Sequence, residues 1–362
     1  MRRTLVTVLI GVAVLMVTAG PASAHSVAGQ GGTNYKSRLK SINPHVAGLK
    51  VQIIEAGSRI KLTNHTGQTV SILGYSDEPY LRIGKDGVFE NVRSPTLYTN
   101  SVRNNPPAPP PEADPTAKPV WKRTGGGDVV RWHDHRAHWM GGQDPPIVKR
   151  APGKFHIVNA AWRLKLLVGT RPVTVTGDLV WVPGPSPIPW ALVGIGVAAV
   201  VVAGAFATGG WRFVLAGATV LVIAADVVHT VGVAFASEGG NTSRVLRLIT
   251  STPYSLAAWI IGAVGIVLLF RRPLEGLYGV SIAAIVIGGL GGLGDVADLF
   301  RSQLASFVGI GLLRASIALS LGLAVGIPAA SYIVVRRGYV PRRASEPGSE
   351  PPIASPAATT PA

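Results

Sequence analysis

The second half of the chain carries five long apolar runs, at residues 188–208, 212–236, 254–270, 276–297 and 312–335. A bilayer core of about 30 Å takes about 20 consecutive, mostly apolar residues to cross as a helix. In hydrocarbon, every backbone N–H and C=O must also find its partner inside the segment. Residues 187–335 are therefore expected to form an α-helical membrane domain of about five spans, whatever precedes it. Within that region, "GGLGGLGD" reads as glycine packing between helices. It lacks the strand, turn and helix that would make it a nucleotide loop.

The chain opens "MRRTLVTVLIGVAVLMVTAGPASAHS", a basic start, a short apolar run and a small-residue Ala-Ser-Ala end. These are the three parts of a secretory signal peptide, expected to span residues 1–24 with cleavage after Ala24. Cleavage makes His25 the first mature residue and residues 25–186 an extracytoplasmic domain. The first span then runs inward and the fifth ends in the cytoplasm, as in a multi-pass protein of a bacterial plasma membrane. Arg271, Arg272, Arg336, Arg337, Arg342 and Arg343 fall on the inner side, as the positive-inside tendency expects, while Arg244, Arg247, Arg301 and Arg314 fall outside. Residues 336–362 end in a low-complexity stretch rich in Pro, Ala and Ser, expected to be a disordered cytoplasmic tail.

Between signal and spans the text changes to short alternating runs. "LKVQIIEAGSRIKLTN", "TVSILGY", "YLRIGKDGVFEN", "VVRWHDH", "WRLKLLVG" and "PVTVTGDLVWVP" read as strands separated by turns at Ala56-Gly57, Asp86-Gly87 and Gly169-Thr170. Strands at this spacing predict a β-sandwich of cupredoxin-like or immunoglobulin-like type. The proline-rich residues 104–119 cannot form a central strand and are expected to make a surface connection ahead of the histidine strand. The segment "EPYLRIGKDGVFEN" is polar and aromatic enough to be a binding surface. A formal charge of +16, with 21 Lys and Arg against 11 Asp and Glu in residues 25–186, raises nucleic acid as a partner. An exported, membrane-tethered chain with no basic helix or aromatic-basic sheet motif argues against it, and favours anionic lipid or cell-wall polymer. The absence of cysteine removes disulfides and thiolate metal sites.

Nitrogen ligands are a different matter. The stretch "VVRWHDHRAHWMGG" packs His133, His135 and His138, three of the eight histidines, into six positions. On a strand, His133 and His135 project from one face and Asp134 from the other. Two imidazoles make an incomplete site, which His25 would complete. Its α-amine and imidazole can chelate one ion while His133 or His135 fills out the flat arrangement that Cu(II) prefers. An α-amine with a pKa of about 7.7–8.0 yields its proton to copper readily at neutral pH. His138 is an additional ligand or a hydrogen-bond partner of the ligands, and Asp134 is expected to fix a neighbouring imidazole or Arg136. The competing reading is a polar turn capped by aromatics. His45, His65 and His156 are assigned to the surface.

An N-terminal histidine released by cleavage, a later His-x-His and membrane spans behind a sandwich together resemble the copper-binding, sandwich-bearing component of particulate methane monooxygenase. The N-terminal histidine alone is similar to the copper-resistance protein C family and to lytic polysaccharide monooxygenases, and the layout also resembles a group of actinobacterial membrane proteins. The resemblance implies a histidine-brace copper site at His25, His133 and His135. The chain departs from it in placing five consecutive spans after one ectodomain.

Inside the spans, "ADVVHTVG" sets Asp226 and His229 one helical turn apart, and "GLGDVADLF" does the same for Asp295 and Asp298. Ionisable groups in spans are costly to bury and are functional candidates. Asp226, His229 and Asp295 form a possible intramembrane site, whose Asp/His character resembles the membrane-embedded metal site found in a different component of the same monooxygenase. The leading expectation is a membrane-anchored copper-binding protein of copper acquisition, transfer or sensing. Its partners would be the copper ion, membrane lipid and other membrane copper proteins. The alternatives are a copper-dependent oxidase or monooxygenase and a metal-free structural envelope protein.

Overall fold

The computed structural model describes residues 31–102, 106–207, 209–236 and 241–338. The expected signal peptide, His25 and the end of the C-terminal tail lie outside the described residues.

Ten strands build the N-terminal region: β1 (Tyr35–Asn43), β2 (Leu49–Ile54), β3 (Arg59–Asn64), β4 (Val70–Leu73), β5 (Pro79–Gly84), β6 (Gly87–Asn91), β7 (Trp121–Gly125), β8 (Val129–Trp132), β9 (His156–Val168) and β10 (Arg171–Trp181). All pairings are antiparallel, in a seven-stranded sheet of order β1-β10-β9-β4-β5-β6-β7 and a three-stranded sheet of order β2-β3-β8. The period-two pattern explains the packing. Leu49 and Val51, Ile60 and Leu62, Val70 and Ile72, Leu164 and Leu166, and Val173 and Val175 alternate inward and share one core between the two sheets. Each such side chain contributes about 1.5–3 kcal/mol by leaving water.

Two strands escape the sequence pattern. β1 reads "YKSRLKSIN", with no apolar alternation, and it is a strand because β10 pairs with it along its length. Its hold on β10 is partly ionic. Asp178, fully buried on β10, accepts two hydrogen bonds from Arg38 (2.8 and 2.6 Å) and lies 3.0 Å from Lys40 Nζ. β7, "WKRTG", closes the opposite edge beside β6, so the proline-rich connection leads into this strand rather than directly into the histidine segment. Both edges are thus basic, which discourages pairing with another sheet. Two short helices, α1 (Pro95–Thr99) and α2 (Pro146–Arg150), lie in the connections.

The helical region contains α3 (Ile188–Ala207), α4 (Trp211–Ala234), α5 (Asn241–Ser251), α6 (Pro253–Arg271), α7 (Pro273–Val286) and α8 (Ile310–Arg336). α7 continues into a π-helical turn, Ile287–Gly292. α3, α4, α6 and α8, and α7 together with its π-helical turn (Pro273–Gly292), are long and apolar enough to cross a membrane, in agreement with the five sequence runs. The protein is built as a multi-pass membrane protein. Within "GGLGGLGD", Gly288 and Gly292 pack against α8 as expected. A Cβ on Gly288 would stand 2.3 Å from Ala324 Cβ and 2.6 Å from Ser320 O, so only glycine lets the π-helical turn meet α8 this closely.

The two regions meet at one joint. Thr33 and Gln303 exchange backbone hydrogen bonds (2.9 and 2.8 Å), Asn34 Oδ1 accepts from Ser302 N (2.8 Å), and Ser302 Oγ donates to Val182 O (2.8 Å). Both segments that leave the β region therefore dock on the loop that follows α7. The C-terminal end of α4 lies at the same level, because Phe307 N donates to Gly232 O (2.7 Å). Arg337, stacked 4.1 Å over the Phe206 ring, marks the opposite end of α3 and α8.

Candidate functional site

β8 stops at Trp132, whose register partner on β3 is Ile60, and the histidines come after it. The expected projection of His133 and His135 from one strand face is therefore not realised. Asp134 is the cause. It is almost fully buried, caps a 3-10 turn over His135–Ala137 by accepting from Arg136 N (3.1 Å), and also accepts from Trp132 Nε1 (3.0 Å), Arg136 Nε (2.8 Å) and Arg136 Nη2 (2.8 Å). A short carboxylate side chain that bonds its own following backbone competes with the ladder and turns the chain. Arg136 extends the clamp to Leu73 O (3.3 Å) and lies 4.9 Å over the Tyr75 ring. Of the two partners expected for Asp134, Arg136 is the one it holds.

The turn gathers the three imidazoles in another way. His138, 7% exposed, lies edge-on between the other two, with centroids 5.3 Å from His133 and 5.5 Å from His135. His135 Nε2 lies 3.1 Å from Val102 O. A carbonyl only accepts, so this nitrogen carries a proton, and in the neutral ring Nδ1 is the atom with the free lone pair. Trp139 stacks on Tyr35 (5.7 Å), and Tyr35 donates to Asp144 (2.6 Å); burial, then Asp144, push the phenol's pKa up. Tyr35 follows Asn34 of the joint, so the histidine turn lies at the end of the β region that faces the helices.

The second constellation lies at the joint end of the helices. Asp226 and His229 are both buried on α4. Asp226 Oδ2 accepts from Trp259 Nε1 of α6 (2.8 Å), and His229 Nε2 stands 2.9 Å from Asp295 Oδ2. The expectation that Asp295 and Asp298 share a helical face of the fourth span is corrected. The span closes at the π-helical turn, Asp295 precedes a 3-10 helix over Val296–Phe300, and Asp298 belongs to that helix. Such wide turns recur at functional positions. Here the turn sets Gly291 beside Asp226, close enough for a Cβ to sit 3.6 Å from Oδ1. Asp298 accepts from Gly32 N (3.1 Å), and burial, reinforced by the Asp295 charge, pushes its pKa up to about 6. Sequence reasoning missed Trp259. Its signal was an indole N–H inside an apolar run, which needs a partner once buried.

The sequence-predicted residues thus fall into two groups, His133/His135/His138 and Asp226/His229/Asp295, with His25 outside the described residues. Among the described residues, no group of three or more His, Cys, Asp or Glu side chains is arranged to hold a metal ion. The histidine turn offers pairs of rings, an incomplete ligand set as it stands. His65 lies exposed against Asp128, and His156 Nε2 bonds Ala151 O (2.7 Å). The segment read as a binding surface forms the β5–β6 hairpin, whose leading Glu78 is buried and accepts from Ser94 and Thr96 hydroxyls (2.6 and 2.7 Å), a structural role. The chain matches no family model, no curated protein and no solved structure.

Proposed function

We propose that the protein is a membrane-anchored, extracytoplasmic copper-binding protein of copper acquisition, transfer or sensing. The observation that carries this reading is the grouping of His133, His135 and His138. An imidazole nitrogen binds a divalent ion at about 2.0–2.1 Å, so two rings sharing one ion hold their centroids about 4.5–5.5 Å apart. Both centroid separations fall within that range. The Val102 carbonyl on His135 Nε2 is the kind of orienting bond that leaves the other nitrogen to a metal. With no thiolate in the chain, the donors are nitrogens, which suit Cu(II). His25, as the mature N-terminus, supplies the amine and imidazole that complete the set. The domain around it is a cupredoxin-like or immunoglobulin-like sandwich.

Asp226, His229 and Asp295 form the receiving site. Trp139 stacked on Tyr35 and the Asn34–Ser302 bond tie the histidine turn to the loop that carries Asp298 and Asp295, and transfer from one site to the other is the role this reading gives the pair. Charge supports the orientation. Arg212, Arg271, Arg272, Arg336 and Arg337 lie at the helix ends away from the joint, the arrangement of a cytoplasmic face in a bacterial plasma membrane, against Arg244, Arg301 and Arg314 on the joint side.

The test is Cu(II) binding by the chain that begins at His25 and keeps its helical region, read by the nitrogen hyperfine pattern in electron spin resonance. One tightly bound ion with several nitrogens is expected, and His138→Ala or one extra residue before His25 should weaken it. Copper binding unchanged by both alterations would remove this site.

A further inference from the structure

Among the six longer helices, α5 alone cannot cross a bilayer: its 11 residues extend about 16 Å at 1.5 Å each. It stands between two helices that can, α4 and α6. Its sequence, "NTSRVLRLITS", is two-faced at 3.6 residues per turn. Val245, Leu246, Leu248 and Ile249 share one arc, and Ser243, Arg244 and Thr250 take the opposite one. The apolar arc is turned away from the protein, with Val245 47%, Leu246 60% and Ile249 52% exposed. The helix therefore does not use that face to pack on its neighbours.

Its height is fixed by aromatic rings at the joint end. Phe235, at the end of α4, lies 6.0 Å from Phe307, and the Arg244 guanidinium sits 5.8 Å over the Phe235 ring. An arginine at the end of a span carries its guanidinium to the headgroup level of a bilayer while its stem lies along apolar surface. The sequence adds a second cation, Arg247, and no acid within the helix; the nearest, Glu238, precedes it.

We propose that α5 lies in the plane of the membrane interface, with its apolar arc in the acyl chains and Arg244 on the phosphates of anionic phospholipids. A short helix with a strong apolar face and basic residues opposite binds such a surface by both terms, burial and charge. α5 begins at Asn241, seven positions after the end of α4, the helix that carries Asp226 and His229. The proposal does not depend on copper.

Because the chain has no cysteine, single labels can be placed on the full-length protein in nanodiscs. A fluorophore on Ile249→Cys should be quenched by lipid-borne nitroxide and shielded from iodide, and one on Ser243→Cys should behave in the opposite way. Equal iodide access at the two positions would overturn the membrane-plane placement. Energy transfer from the Ile249 label to an acceptor on phosphatidylglycerol should exceed that to the same acceptor on phosphatidylcholine severalfold, and Arg244→Gln with Arg247→Gln should abolish the difference. Equal transfer to the two lipids in the parent chain, or a preference that survives both substitutions, would overturn the anionic part.

Discussion

Replacing Asp134 by Asn keeps the side-chain size but withdraws the charge that Arg136 faces. In the parent, Arg136 reaches both Asp134 oxygens at 2.8 Å; the carboxylate is buried and the guanidinium 18% exposed. Breaking a buried pair by removing one partner costs about 3–5 kcal/mol, and the partial exposure of Arg136 puts this case near the lower end, about 3 kcal/mol. For a domain of 150–250 residues, each kcal/mol moves the midpoint about 2–4 °C, so the Tm of the β region should fall by about 6–12 °C. Thermal unfolding of the full chain in detergent, followed by near-ultraviolet circular dichroism, reads this directly. The double variant Asp134→Asn with Arg136→Met should recover part of the loss, because no guanidinium is then left without its carboxylate. A fall below about 2 °C, or a double variant that loses the sum of the two single effects, would refute the clamp as the organiser of the histidine turn.

Asp178 predicts a pH dependence. Hydrogen bonds from Arg38, helped by Lys40, hold its native pKa below the ordinary carboxylate value, so its contribution is complete above about pH 4, the unfolded value, and declines as pH falls through the lower native one. Asp178→Asn should flatten the acid limb of the Tm against pH curve, and an unchanged limb would assign the acid loss elsewhere. Gly288→Val sets a branched side chain where a single Cβ already meets Ser320 O at 2.6 Å, so it should cost at least about 2 °C of midpoint in the helical region or reduce membrane accumulation; normal behaviour in both would mean that α7 and α8 separate freely. Asp226→Asn with His229→Gln preserves size, so the chain should still insert while membrane-bound copper falls severalfold; full copper retention, measured by elemental analysis of washed membranes, would leave the pair a structural role. A reporter active only outside the cytoplasm and fused after Arg343 should be silent, and strong activity would reverse the proposed orientation.

The five membrane-crossing helices were legible in the sequence because lipid allows only one local solution to a long apolar run, and no distant residue has to be known. Eight of the ten strands were legible for a related reason: alternation of apolar and polar residues records which side faces the core. β1 and β7 carry no such record. They are strands because β10 and β6 offer them hydrogen-bond partners, and Arg38 and Lys40 make sense only once Asp178, 138 residues on from Lys40, is found buried beneath them. At the candidate site, the sequence determined which side chains were close along the chain but not how they would be aimed. The strand rule was defeated at His133 by Asp134, whose carboxylate bonds backbone and side-chain donors from Trp132 to Arg136 and so ends β8. The pairing of His229 with Asp295, 66 residues apart, was decided by a π-helical turn and the packing of α4 on it. Local patterns fix what each segment must bury; which charges then meet depends on where the segments are brought together, and only the tertiary structure supplies that.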